Sequence, residues 1–402
     1  MNHITVIFLL LTLLFVWRKD KCLIHPIIIT SSVWLFLLIG YVVVDHGLYP
    51  LSDMFYTAFL AWMVPFQIMC CTVEILVNND RHLLHPATPL ITSRYVIAFV
   101  AVCTVIAILL NYRWAMGFDP TSNILSAMKT LTVAVGREEE SQPSIWLRLF
   151  SIISQIGYVM VLIYCMKGIR FKYKFLFVLL AWGWVLMSSN KGAVLRFIMG
   201  YIGVLVFAKK LNLRVLLISI VFICLLVVVM QIVRDNIVEL DISRLIYIYL
   251  FSPLTAFDHY ILHSSMDFTV YFDGEFVFKE FPFLGDLFSD NYKRANVNFF
   301  NYEVVYVPLP TNVYTMMSGY WVGWKWIGLI IGGGLHGCFW GYIYKRAKKE
   351  EVYKLFYASI LHVLVFQFFH EFLLGSMRYN LLIFIYLFFL FYNPMFRRVN
   401  IK

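Results

Sequence analysis

The sequence predicts an all-α fold, a polytopic transmembrane helix bundle of about 11 spans with one large outer loop carrying short interfacial helices. Three observations predict it. Hydrophobic residues make up 61% of the 402 and charged ones 14%, with a mean hydropathy of +0.78; soluble domains sit nearer half apolar and a quarter charged. The apolar residues are gathered into runs of about 20, which suit helices rather than barrel strands. Every second connection between runs is rich in Lys and Arg and poor in acids, the signature of cytoplasmic loops.

The runs fall at 4–17, 27–44, 54–77, 95–111, 146–166, 175–187, 193–208, 215–233, 326–344, 355–369 and 381–392. The first and sixth are short for a bilayer, which tilting, burial or local thinning accommodates. Cations follow alternate runs: Arg18-Lys19 with Lys21, Arg81 with Arg94, Lys167 to Lys174, Lys209 to Arg214, Lys345 to Lys349, and Arg397 to Lys402. The N-terminus is then outside and the C-terminus cytoplasmic. Residues 1–17 lack a basic start and a small-residue cleavage site, so they read as a first span rather than a removed signal.

Three regions result: N-terminal spans over 1–233 with an outer loop at 112–145, a large outer loop over 234–325, and C-terminal spans over 326–402. The large loop is about 90 residues long, where a span needs about 20. Asp235, Glu239, Asp241, Asp258, Asp267, Asp273, Glu275, Glu280, Asp286, Asp290 and Glu303 face only Arg234, Arg244, Lys279, Lys293, Arg294 and Lys325 there.

The net charge of +10 is explained by loop cations, so topology rather than nucleic acid accounts for it. All seven cysteines lie in or beside apolar runs, and none supports the large loop with a disulfide. Gly333, Gly337 and Gly341, four apart, let another helix approach closely. Pro65 is expected to kink the third span, and Glu74 to snorkel from its cytoplasmic end.

The outer face holds the candidate site residues. Segment 124–135 has apolar residues at helical spacing and reads as a helix on the membrane surface. Ser189-Asn190-Lys191-Gly192 puts a lysine where the charge rule does not want one, with Arg196 about one turn on; an anion partner accounts for the pair as well as snorkelling to the interface or chance does. Segment 242–263 is apolar and aromatic but broken at Ser252-Pro253, predicting two short interfacial helices. His259 and His263 share a face of the second at metal-ligand spacing, but two histidines without a third ligand make a weak metal site. Asp258 or His259 as a proton acceptor is the stronger reading. Residues 267–307 mix Phe, Tyr, Asn and Asp, which suits sugar rings and hydroxyls or a loop packed on itself. Asn312 and Tyr314 lie where the chain returns to the membrane. His370-Glu371 and Arg378 share the last outer turn, as a functional cluster or as an ion pair tying two helix ends.

The pattern resembles the O-antigen polymerases, the Wzy-type oligosaccharide repeat-unit polymerases of bacterial inner membranes. The likeness lies in the number of spans and the single large loop late in the chain. It lies also in Ser189-Asn190-Lys191-Gly192, in Phe251-Ser252-Pro253-Leu254-Thr255-Ala256-Phe257, and in Thr311-Asn312-Val313-Tyr314 leading through Ser318-Gly319-Tyr320 into the glycine-rich span. Many members carry Arg where this chain has Lys191, which loses the bidentate fork. The paired, spaced Arg-x-Gly motifs of some members are not evident.

The resemblance implies a multi-pass glycosyltransferase of the bacterial inner membrane, with the outer loops in the periplasm. It would polymerise undecaprenyl-diphosphate-linked oligosaccharide repeat units into O-antigen or a related surface polysaccharide. Lys191, Arg196, Arg234, Arg244, Arg294 and Arg378 are the cations available to the leaving diphosphate. Asp258, His259, His370 and Glu371 are the candidate bases, and Asn312, Tyr314 and Tyr320 the candidate glycan contacts. Such transfer proceeds by positioning and electrostatics, with no metal, cofactor or nucleotide-sugar donor. The implied partners are the lipid-linked glycan, the bilayer, and a chain-length regulator and flippase of the same pathway, with no nucleic acid. The alternatives are an O-antigen ligase, which uses the same donor, and a polysaccharide flippase or transporter. The absence of an internal repeat and the size of the outer loop count against the last.

Overall fold

The computed structural model describes residues 2–77, 94–120, 126–128, 130–131, 144–167, 175–176, 178–181, 183, 191–211, 214, 221, 247, 249–263, 305–308, 310–311, 313–374 and 376–392. Its helices are α1 (Asn2–Lys19), α2 (Pro26–Val43), α3 (Asp53–Leu76), α4 (Arg94–Phe118), α5 (Ile145–Lys167), α6 (Lys191–Phe207), α7 (Ser252–His263), α8 (Met317–Ala347), α9 (Glu351–Val365) and α10 (Met377–Tyr392). Strands β1 (Val305–Tyr306) and β2 (Pro310–Thr311) pair antiparallel, Val305 opposite Thr311. Among the described residues, five helices are long and apolar enough to cross a membrane: Pro26–Val43, Asp53–Leu76, Tyr95–Phe118, Ile145–Met166 and Trp324–Ala347. Gly192–Phe207 and Tyr379–Phe391 are shorter apolar helices. The protein is mostly helical and membrane-embedded, and Phe36, Phe99 and Leu335 are among the large apolar side chains it turns outward.

The chain divides into two compact units. One comprises Met1–His82, Asp241–Lys349 and Val363–Leu381; the other comprises Leu83–Leu240, Glu350–His362 and Leu382–Lys402.

In the first unit, local chemistry sets the helix starts. His25 caps α2 by accepting Ile27 N–H at 3.2 Å, and Pro26 takes the first helical position, where no N–H is needed. Ser52 caps α3 by accepting Phe55 N–H at 3.2 Å, with Asp53 in the first turn. The unit is built around α3 and α8. A Cβ on Gly333, Gly337 or Gly341 would fall closer than 3.0 Å to the carbonyl oxygens of Trp62, Phe66 and Cys70 respectively. Three glycines four apart thus face three residues four apart, as the spacing predicts, and the backbones meet without side chains between them. Both series ascend together, so α3 and α8 run parallel.

Polar contacts join the helices elsewhere. Gln67 on α3 donates to Ser31 on α2 at 3.2 Å and to Thr12 on α1 at 3.4 Å. At one end of the unit, Lys348 and the Tyr344 hydroxyl reach Asp20 at 2.6 and 2.9 Å, and His25 reaches Glu74 at 3.1 Å. The end of α1, the start of α2, and the ends of α3 and α8 therefore gather there. These are the chain ends that the cation alternation assigns to the cytoplasm.

In the second unit, the Tyr158 hydroxyl of α5 lies 3.2 Å from the Arg196 carbonyl of α6 and 3.4 Å from that of Ser359 in α9. Gly203 gives the same close approach, with Ala358 3.0 Å from the place of its absent Cβ. Tyr386 of α10 donates to the Ile152 carbonyl at 3.0 Å.

Several expectations are revised. Helix α4 continues beyond 111 to Phe118. Ala127, Met128 and Leu131 bury against Trp114, Ala115, Met116 and Phe118, so the described part of 124–135 turns its apolar face onto protein. Helix α7 begins at the predicted Ser252-Pro253 break, but Ser252 through Asp258 are buried rather than interfacial. Helix α3 runs as one element through Pro65, and α8 carries non-helical backbone at Trp324 and Lys325. Glu74 is held by His25 instead of reaching out alone. The predicted span at 215–233 lies outside the described residues except Val221, as do 177, 182 and 184–187 of the sixth run and the loop between 264 and 304.

Candidate functional site

The end of the first unit opposite the Asp20 cluster collects segments far apart in sequence. The Tyr41 hydroxyl of α2 lies 2.7 Å from the Thr255 hydroxyl of α7 and also donates to the Tyr49 carbonyl. Ser252 reaches Thr311 of β2 at 3.1 Å. Met316, just before α8, donates its N–H to the Gln367 carbonyl at 2.9 Å. Phe251, Leu254, Phe257 and Ile261 carry α7 into the apolar core among Trp34, Phe55 and Phe59.

Asp258 lies on α7, 3% exposed. Its carboxylate accepts the Ser52 backbone N–H at 2.8 Å and the Ser52 hydroxyl. One serine thus caps α3 and clamps a buried carboxylate, so that carboxylate's first role is to dock α7. Burial raises the Asp258 pKa above its ordinary value, against the lowering effect of the two Ser52 hydrogen bonds. His259, beside it, has its imidazole pKa lowered by burial and by His263. His263 Nδ1 donates to the His259 carbonyl at 2.7 Å and the two rings stack at 4.0 Å, so the pair packs on itself.

Glu371 is 1% exposed. Its carboxylate accepts the Leu373 and Leu374 N–H groups at 2.9 and 2.7 Å, folding the turn before α10. Its Oε1 lies 3.6 Å from His336 Nε2, and that nitrogen lies 2.8 Å from the Tyr320 hydroxyl. Trp62 covers both rings, with centroids 4.9 Å from Tyr320 and 5.2 Å from His336. The Tyr320 phenol and the His336 imidazole share a hydrogen bond, and the Glu371 carboxylate stands beside them at 3.6 Å, beyond hydrogen-bond reach. His370, next to Glu371, is half-buried and edge-on to Phe372 at 5.1 Å. Burial pushes its imidazole down to about 4.

The strained point of the unit is Lys325. Within α8, Trp324 has φ −141°, ψ 18° and Lys325 has φ 52°, ψ −127°. A positive φ with that ψ is costly for a residue with a Cβ. Gly328 makes the break possible, because a Cβ there would strike the Tyr320 carbonyl. Lys325 is 8% exposed, with Nζ 5.5 Å from the Trp321 ring, and Trp326 packs edge-on to Trp321 at 5.1 Å. A buried cation therefore stands where a long apolar helix restarts, at that helix's positive end.

The other expected site residues divide as follows. Arg196 belongs to the second unit, where its Nε donates to the buried His362 Nε2 at 3.3 Å. Lys191 opens α6 and Arg378 is second in α10, with their side chains outside the described atoms. Arg234, Arg244, Arg294 and Asn312 lie outside the described residues. Tyr314 is 2% exposed and edge-on to Tyr260 at 6.0 Å, so its ring face is not open to a sugar. The Tyr320 hydroxyl is engaged by His336.

The structure adds Ser52, Lys325 and His336. Only His336 had a usable signal in the sequence, a titratable residue inside an apolar run. No family model, curated protein or solved structure matches the chain.

Proposed function

We propose that the chain is a membrane glycosyltransferase that polymerises undecaprenyl-diphosphate-linked repeat units at the periplasmic face of the bacterial inner membrane. The observation that carries this reading is the break at Lys325. It sets a buried cation and the start of a long helix at the membrane edge, in the unit that also holds His370, Glu371 and Asp258. A lipid diphosphate needs that combination, because dehydrated negative charge is costly unless paired.

In the proposed reaction, a hydroxyl oxygen of the acceptor sugar bonds to the anomeric carbon of the donor glycan. The bond from that carbon to the diphosphate oxygen breaks, and undecaprenyl diphosphate leaves with the electron pair. The hydroxyl proton passes to a base. His370, in the turn beside Glu371, is the proposed base; Glu371 accepts two backbone N–H groups and Asp258 is held by Ser52. A donor diphosphate nearby would raise the lowered His370 pKa and strengthen it as a base. Tyr320, His336 and Glu371 hold the turn that carries it. Lys325 and Arg378 are the proposed diphosphate ligands of this unit.

Lipopolysaccharide from a deletion strain tests the reading. A single repeat unit on core supports a polymerase, and loss of every repeat unit from core replaces it with the ligase. Retention of normal long chains refutes both. Arg378→Ala should abolish long chains while the protein accumulates normally, with cytoplasmic-side Arg346→Ala as the tolerated control.

A further inference from the structure

In the first unit, the ends of α1 and α8 bring cations together. Arg18 and Lys19 close α1, Lys21 follows in the next turn, and all three are exposed. Lys348 and Lys349, also exposed, follow α8. Like charges would drive two such ends apart. Asp20 joins them: its carboxylate accepts Lys348 Nζ at 2.6 Å and the Tyr344 hydroxyl at 2.9 Å. Lys348 Nζ also stands 4.6 Å from the centroid of the Tyr344 ring. One carboxylate thus sets cations 328 residues apart in sequence side by side.

The countercharges at this end have work of their own. Asp20 is held as above, and Glu74 faces His25 at 3.1 Å. Glu350 and Glu351, next in the chain, belong to the second unit. The face of α1 that leads to Arg18 is apolar. Ile4, Ile7, Leu11 and Leu14 recur three and four apart, so they share one face with Arg18, and each is more than half exposed. Trp17 and Leu23, beside the cations, are exposed too. An exposed tryptophan next to cations and an apolar stripe is the arrangement of a bilayer boundary.

A phospholipid presents a phosphate at the head of its acyl chains, so it meets both halves of this surface at once. A soluble anion would use the cations and leave the stripe idle. An acidic protein surface would have no call on side chains as far back as Ile4. We propose that the joined ends of α1 and α8 bind the headgroup of an anionic phospholipid, with an acyl chain along the Ile4–Leu14 stripe. Cations from two helices then share one phosphate, which a single loop lysine does not achieve. The proposal concerns the end of the unit opposite the candidate site and does not depend on the polymerase reading.

The test titrates the full-length protein in detergent with phosphatidylglycerol and with phosphatidylcholine of the same acyl chains, and reads binding by thermophoresis. The parent should prefer phosphatidylglycerol, and the preference should fall as salt is raised. An Arg18→Gln, Lys19→Gln double variant should bind it about 25-fold more weakly, at about fivefold for each cation removed. Both side chains are exposed, so this variant should keep the parent's unfolding temperature in phosphatidylcholine. A Lys209→Gln, Lys210→Gln variant loses the same charge from two exposed lysines beyond α6 and should bind as the parent does. Asp20→Asn separates a built cradle from a diffuse field. It makes this end more positive but releases Lys348, and it should weaken binding by about fivefold, the share of one cation. Equal affinity for the two lipids overturns the proposal, as does a preference that ignores salt. Equal loss in the two double variants, or tighter binding by Asp20→Asn, would reduce the surface to a diffuse field and also overturns it. So does displacement of the lipid by an equal concentration of inorganic phosphate, or a native mass spectrum showing a lipid-free dimer, which would give the stripe to a second copy.

Discussion

Ser52 gives both its backbone N–H and its hydroxyl to the carboxylate of Asp258, joining the start of α3 to the middle of α7 across 206 residues of sequence. Ser52→Ala removes the hydroxyl bond and the cap of α3 together. It should cost about 1–3 kcal/mol, read as a lower unfolding temperature in detergent. A double-mutant cycle with Asp258→Asn should give a coupling of about 0.5–3 kcal/mol. Additive single effects would mean the two residues do not act as a pair.

The lowered pKa of His370 fixes the direction of a pH effect. Its imidazole falls from an ordinary 6.5 to about 4 in the folded protein. The unfolded chain therefore binds the proton more readily. The group contributes stability above pH 6.5 that is lost as pH falls through about 4. The unfolding temperature should drop over that interval, and the drop should be smaller in His370→Gln. The same variant should lose polymerisation at neutral pH, where its stability matches the parent. Retained polymerisation would remove His370 as the base.

The glycine ridge separates neighbours sharply. Gly337→Ala drives a methyl into the Phe66 carbonyl, whereas a Cβ on Gly334 meets nothing nearer than the Met69 side chain at 3.6 Å. Gly337→Ala should destabilise by about 1–3 kcal/mol as overpacking. Gly334→Ala should be tolerated. Thermal unfolding of the two variants side by side checks this, and equal stabilities would rule out the backbone contact between α3 and α8.

Lys325 allows strain and charge to be separated. Lys325→Gly relieves the positive φ and should stabilise by about 1–3 kcal/mol. It also removes the cation and should abolish long-chain polymer. Lys325→Arg should retain part of the activity, because charge is kept and only its geometry changes. Wild-type chain length with glycine at this position would show that the cation plays no part in the reaction.

The arrangement of ends in the first unit bears on topology. Helices α3 and α8 run parallel, and the Asp20–Lys348 and His25–Glu74 contacts gather the ends expected in the cytoplasm. A reporter fused after Lys349 should be cytoplasmic and one near Asp286 periplasmic. The reverse pair would move the candidate site to the wrong side for a periplasmic polymerase.

The sequence by itself determined the membrane class, the alternation of loop charge and the glycine stripe on α8. These are properties of single runs: hydropathy sums over about 20 residues, loop charge counts locally, and small residues four apart share a face whatever they meet. It also marked Ser252-Pro253 as a helix start and Glu371 as a residue needing a partner. Only the tertiary structure decided what those partners were. Asp258 read as an available base until α7 was seen to dock it on Ser52. Glu371 read as paired with Arg378 or catalytic, until the register of α8 brought His336 beside it. Lys325 read as one loop cation among six, and the break that buries it depends on Gly328 admitting the Tyr320 carbonyl. Such pairings depend on helix register and crossing, which are set by packing between distant segments and leave no local mark in the chain.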